Sequence, residues 1–220
     1  HLARLLEMRN EGDDLVNALQ HSAQAVKDQD FSNPWVQRLI LSYRVLGPDA
    51  VIELGAEAMA AVSPKKGLFA VYHIYAAALN DRGRTDEAIS LLLQGVQIDL
   101  GKNMARLFEQ ALSYAAAMPH SLRLIEIRNW AEERKTLSPQ VALADVLIDE
   151  RVGNWREGAE RAAKARIEHD DYLHLALHEA LCWLGAMDDS QAHRAISSWM
   201  NRNLQPRSAT TWLAALISVR

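Results

Sequence analysis

Apolar residues recur at spacings of three and four along almost the whole chain, as in Leu39, Ile40, Tyr43 and Leu46, or Ala88, Leu91, Leu92, Gly95 and Val96. That period gathers them into one stripe along a helix. No stretch alternates apolar and polar residues for long enough to demand a strand. Proline, which breaks a helix interior, and glycine, which supplies a left-handed cap, fall almost wholly between the periodic segments. Start signals agree with them: Thr85-Asp86-Glu87 before Ala88, Ser208 before Ala209, and Pro48 in a first turn. The pattern predicts about thirteen helices, near residues 2–9, 13–27, 34–46, 49–62, 67–81, 85–99, 103–116, 119–135, 139–151, 155–168, 171–184, 188–203 and 208–220. Connections this short make neighbouring helices antiparallel hairpins.

The turn glycines carry a repeat. Gly12, Gly47, Gly83, Gly153 and Gly185 each stand between two predicted helices, at successive spacings of 35, 36, 70 and 32 residues. The long interval is two periods, with Met118-Pro119 where the middle turn belongs. A lone hairpin is too small to bury its apolar face, so such units must stack, and small residues such as Ala76, Ala88 and Ala165 let their helices approach.

The stretch from Tyr72 to Leu92, with its opening aromatic, Ala76, the turn Gly83, Ala88 and Leu92, resembles a tetratricopeptide repeat. Gly153-Asn154-Trp155-Arg156-Glu157-Gly158-Ala159, with Ala165 beyond it, is a second partial match. The sequence departs from the pattern at Pro119, which replaces a glycine, and at His178, at a position the family keeps small. The resemblance implies an all-α, right-handed α-α superhelix of about six hairpins, forming one domain over residues 1–220. On this period the chain starts and stops within a repeat, the expectation either for a segment of a longer protein or for single helices that cap the stack.

Composition narrows the partners. The 220 residues carry 24 Lys and Arg against 28 Asp and Glu, a net charge of −4, which argues against nucleic acid. One cysteine builds neither an internal disulfide nor a cysteine-based zinc site. No apolar run reaches the length of a membrane span, and the N-terminus lacks a signal-peptide core. With so little cysteine, the expected location is the cytoplasm.

The resemblance also implies that the first helix of each pair lines a concave surface. Mapping the period gives Gln37, Leu41, Arg44, His73, Ala77, Asn80, Phe108, Leu112, Leu143, Leu147, Glu150, Leu175, Glu179 and Trp183 as partner-binding candidates. Family members that clamp a C-terminal carboxylate present lysine there, and this set has none. Its apolar centre, Phe108, Leu112, Leu143 and Leu147, is expected either to dock an amphipathic helix or apolar peptide, or to be covered by a tight superhelix.

Other groupings have blander accounts. His169, His174 and His178, with Asp170, Asp171, Glu179 and Cys182 nearby, lack the His-Glu-x-x-His pattern and read as packing histidines, so no metal is expected. Asp145 and Asp149 read as a solvated, mutually repelling pair near Arg151. Arg156, Arg161, Lys164 and Arg166 interleave with Glu157, Glu160 and Glu168 as an ion-paired surface. Cys182 reads as a buried inert thiol, and the six tryptophans as packing between units. With no phosphate loop and no Gly-x-Ser-x-Gly elbow, neither catalysis nor a cofactor is expected.

The expectation is a non-catalytic scaffold that binds a peptide or amphipathic helix of another protein in its groove. The alternative is the repeat segment of a larger regulator or glycosyltransferase-like enzyme whose chemistry lies outside these residues. Self-association through Trp212 and the terminal helix is a third reading.

Overall fold

A computed structural model describes residues 13–27, 34–62, 68–98, 103–134, 137–169 and 172–202. Among these residues there are eleven α-helices and no strand. They are α1 (Asp14–Lys27), α2 (Pro34–Leu46), α3 (Pro48–Ala61), α4 (Leu68–Asp81), α5 (Thr85–Gln97), α6 (Met104–Ala117), α7 (Leu122–Glu132), α8 (Ser138–Val152), α9 (Trp155–Glu168), α10 (Leu173–Gly185) and α11 (Asp189–Arg202). Each lies within three residues of its predicted position. The helices predicted at 2–9 and 208–220, together with Gly12 and Trp212, lie outside the described residues.

Three hairpins close with the same turn. After α4, the Gly83 N–H donates to the Asn80 carbonyl (2.9 Å) and the Arg84 N–H to Leu79 (2.9 Å). After α8, Gly153 donates to Glu150 (3.2 Å) and Asn154 to Asp149 (2.9 Å). After α10, Met187 donates to Leu184 (3.1 Å) and Asp188 to Trp183 (2.9 Å). This paired bonding satisfies the last helical carbonyls and needs one residue with positive φ. Gly83 (φ 72°), Gly153 (φ 81°) and Met187 (φ 61°) fill that position.

The last of these corrects the sequence reading. Gly185 is not the turn residue; it ends α10, and Met187 takes the left-handed conformation two residues later. Met187 stands 34 residues after Gly153, so the repeat is more regular than the glycines suggest. The same shift resolves the anomaly at His178. Counted from the true turn, the position of Ala76 in α4 is held in α10 by the fully buried Ala180. On the second helices, Ala88, Gly158 and Ala192 share a register and are all buried.

The chain divides into two compact units, His1–Tyr114 and Ala115–Arg220, with the boundary inside α6. In the first, α1 packs on α2, α2 on α3, α3 on α4 and α4 on α5, and α2 also touches α4. In the second, α7 packs on α8, α8 on α9, α9 on α10 and α10 on α11, and α8 also touches α10. Second-neighbour contacts set first helices side by side, as stacking of hairpins requires.

Glycines mark where the helices come closest. A β-carbon on Gly55 of α3 would lie 2.6 Å from the Tyr75 ring, and one on Gly95 of α5 would lie 2.8 Å from Leu107 and 3.0 Å from Tyr72. At Gly185 it would meet the Trp155 ring at 2.4 Å. Gly185 is therefore required by contact, whereas Met187 occupies a conformation that glycine adopts without strain.

Replacing Met187 by glycine is expected to raise stability by about 1 kcal/mol, and Gly185→Ala to lower it by about 2 kcal/mol. Denaturant midpoints of the two variants check this; the reverse order would return the turn to Gly185.

Candidate functional site

The expected apolar centre is part of the core. Phe108 and Leu112 are fully buried, Leu143 is 4 % and Leu147 8 % exposed, and Leu41 is also buried. In α6 the buried stripe runs Leu107, Phe108, Ala111, Leu112 and Ala115, so both expected contact residues lie on the inward face. In α8, Leu143 and Leu147 join Ala144 and Val146 on the side covered by neighbouring helices. Large apolar side chains gain most from leaving water, and they occupy the inner stripe. No exposed apolar groove is formed by these four residues.

The first helices of unit 1 carry a different surface. The Tyr43 hydroxyl of α2 donates to Oδ2 of Asp81, the last residue of α4. Eight residues back along α4, His73 Nδ1 lies 2.6 Å from Gln110 Oε1 of α6, and Gln110 Nε2 donates to the Tyr114 hydroxyl at 2.7 Å. Because the Gln110 amide nitrogen is committed to Tyr114, its oxygen accepts, and His73 carries its proton on Nδ1. The Phe69 ring stacks on His73 with centroids 5.9 Å apart. Side chains from α2, α4 and α6 thus form one row of phenols, amide, imidazole and carboxylate.

Of the residues expected on this face, His73 is in the row and exposed. Asn80 is half-buried and accepts from the Thr85 hydroxyl at 3.0 Å, across the turn. Gln37 is half-buried, Ala77 likewise, and Arg44 is exposed. Tyr43, Asp81, Gln110 and Tyr114 were missed. Their separations of 38 residues (Tyr43 to Asp81) and 37 (His73 to Gln110) lie close to the repeat length and were the available signal.

In unit 2 the expected contact residues Glu150 and Glu179 are bonded within the unit. Glu150 of α8 accepts from the Cys182 thiol (3.3 Å) and lies 2.7 Å from His178 Nδ1, both on α10. Burial first, and then the Glu150 charge and hydrogen bond, push the Cys182 thiol far above its usual range. A thiol held protonated in this way is a poor nucleophile. Glu179 pairs with Arg166 of α9 at 2.7 Å, with side chains only 7 % and 14 % exposed. Leu175 is fully buried, and Trp183 packs on the cluster of Ala180, Ala192, Ala195 and Ile196.

The carboxylates of α8 are not a solvated pair. Asp145 binds Arg128 of α7 at 2.8 Å, and the buried Asp149 binds Arg161 of α9 at 2.8 Å. Arg151 instead donates to the Met118 carbonyl. Two of the four basic residues of α9 therefore serve structure. His169 lies 3.1 Å from the Ser138 hydroxyl, and His174 packs on Tyr172. Among the described residues no three His, Cys, Asp or Glu side chains are placed to hold a metal ion, and no helix is long and apolar enough to cross a membrane.

An open cavity of about 400 Å³ in unit 1 is lined by Tyr75, Leu79, Asp86, Glu87, Ser90, Leu91 and Gln94. Tyr75 and Leu79 lie on the side of α4 opposite His73 and Asp81, so the cavity is separate from the row. No family model matches the sequence, and no curated protein matches it significantly.

The Asp81 hydrogen bond, with smaller contributions from burial and charge, pushes the Tyr43 hydroxyl up to about 12 from its ordinary value of 10. A folded-state value above the unfolded one gives stability that is complete below pH 10 and lost as the pH rises toward 12. Tyr43→Phe should therefore show a shallower loss of stability between pH 10 and 12 than wild type, measured by urea unfolding at fixed pH values.

Proposed function

We propose that the chain is a non-catalytic interaction module, a tetratricopeptide-like stack of helical hairpins that binds a peptide of another protein on its first helices. The observation that carries this reading is the row Tyr43, Asp81, His73, Gln110 and Tyr114, contributed by three successive first helices and open to solvent at His73 and Asp81. Its groups are the kind that recognise peptides: rings that offer rigid area, and donors and acceptors held in place by one another. Holding them in advance reduces the entropy lost on binding.

Three features support a module of this kind. Each unit packs helix on consecutive helix, with second-neighbour contacts between first helices. Three hairpins share one turn geometry at positions 83, 153 and 187. The one cysteine, Cys182, is buried, and its thiol donates to the Glu150 carboxylate. With Phe108, Leu112, Leu143 and Leu147 in the core, the ligand contact falls to polar and aromatic groups, which suits an extended peptide better than the apolar face of a helix.

Selection from a displayed library of random peptides against the full chain tests the reading. It should yield peptides whose affinity falls about tenfold on Gln110→Ala, which removes the link between α4 and α6, and is unchanged on Glu53→Gln, an exposed change on α3. Failure to select any peptide, or peptides indifferent to Gln110→Ala, would contradict it.

A further inference from the structure

Asp81 stands out in charge as well as position. It is exposed, it ends α4, and the carbonyl end of a helix carries partial negative charge that disfavours a carboxylate. No arginine, lysine or histidine among the described residues forms an ion pair with it. Arg82, next in sequence, reaches to Asp49 of α3, and Arg84 makes a two-pronged pair with Glu87, both bonds at 2.7 Å. The contact Asp81 does make is the Tyr43 hydroxyl on Oδ2; Oδ1 accepts nothing from a described residue. Tyr114 lies near enough for the Asp81 charge to act on its hydroxyl.

We propose that Asp81, with the ring of Tyr43 beside it, receives a lysine or arginine side chain of the bound peptide. A guanidinium or ammonium group supplies the charge that Asp81 lacks and relieves its conflict with the helix end. The Tyr43 phenol suits the flat or apolar parts of such a side chain, and its quadrupole attracts the cation. The Tyr43 hydrogen bond holds one carboxylate oxygen in place and leaves the other for the ligand, so the acceptor is oriented before the peptide arrives. Peptides recognised here are therefore basic at one position, and acidic segments are rejected by the same carboxylate.

This inference rests on the first-helix face being the binding surface, and the test separates the two. Peptides are selected from a displayed random library against the full wild-type chain, and one is measured by fluorescence anisotropy against wild type, Asp81→Asn, Glu53→Gln and Gln110→Ala. The expected selection is enriched in Lys and Arg. Affinity should drop about tenfold on Asp81→Asn and stay the same on Glu53→Gln, which removes an equal charge from α3. Replacing the peptide's arginine by citrulline, which leaves the protein unaltered, should weaken binding to wild type by a similar factor. Peptides without basic residues, bound equally by Asp81→Asn but weakened by Gln110→Ala, would overturn the cation site and leave the face intact. Failure to select any peptide would overturn both.

Discussion

Close approach of helices through residues without bulk is the constraint on which the rest of this protein depends. At Gly55, Gly95 and Gly185 an added β-carbon would fall within 3 Å of a neighbouring side chain, and at Gly158 it would lie 3.0 Å from the Cys182 sulfur. Ala76, Ala88, Ala180 and Ala192 do the same work with a methyl group, all fully buried. These contacts set how near consecutive helices lie, and so how near the first helices of adjacent hairpins come to one another. The hydrogen bonds from Tyr43 to Asp81 and between His73 and Gln110 span such pairs and would be out of reach if bulk separated the helices.

Much of this was legible in the sequence. Helix positions followed from apolar spacing and from the punctuation by glycine and proline, because burial of a stripe and exclusion of proline act locally. The turn at Met187 was not legible. Methionine carries no signal for a positive φ, and the turn bonds that hold it there depend on the ends of α10 and α11. Gly185 offered a false marker two residues earlier, and with it His178 displaced Ala180 from the small position. The burial of the expected apolar centre has a related reason. Phe108, Leu112, Leu143 and Leu147 were mapped by period onto the concave surface, to dock a ligand or to be covered; they are covered, because in α6 and α8 the inner stripe claims the large apolar side chains. The polar row at Tyr43, Asp81, Gln110 and Tyr114 is a product of how helices far apart in sequence come together.

The two units place their polar groups differently. In unit 2, Glu150, His178 and Cys182 bond to one another, and Glu179 and Asp149 each take an arginine from α9. The Arg166–Glu179 pair, with side chains 14 % and 7 % exposed, contributes little net stability while intact, but removal of one partner strands the other at a cost of about 3 kcal/mol or more. These bonds fix which faces of α8, α9 and α10 meet. In unit 1 the row of Tyr43, Asp81, His73, Gln110 and Tyr114 reaches solvent at His73 and Asp81, and Asp81 has no ion-pair partner among the described residues. In the function proposed above, recognition falls to the first helices of unit 1, while the Arg166–Glu179 pair of unit 2 serves the fold.

Thermal unfolding of the full chain carrying Gly95→Val probes the underlying constraint most directly. A valine there must displace Leu107 and Tyr72, both buried, from a contact already near 3 Å. The midpoint is predicted to fall by about 5 °C or more. An unchanged midpoint would mean that α5 does not lie against α4 and α6 at this distance, and the alignment of first helices described above would be wrong.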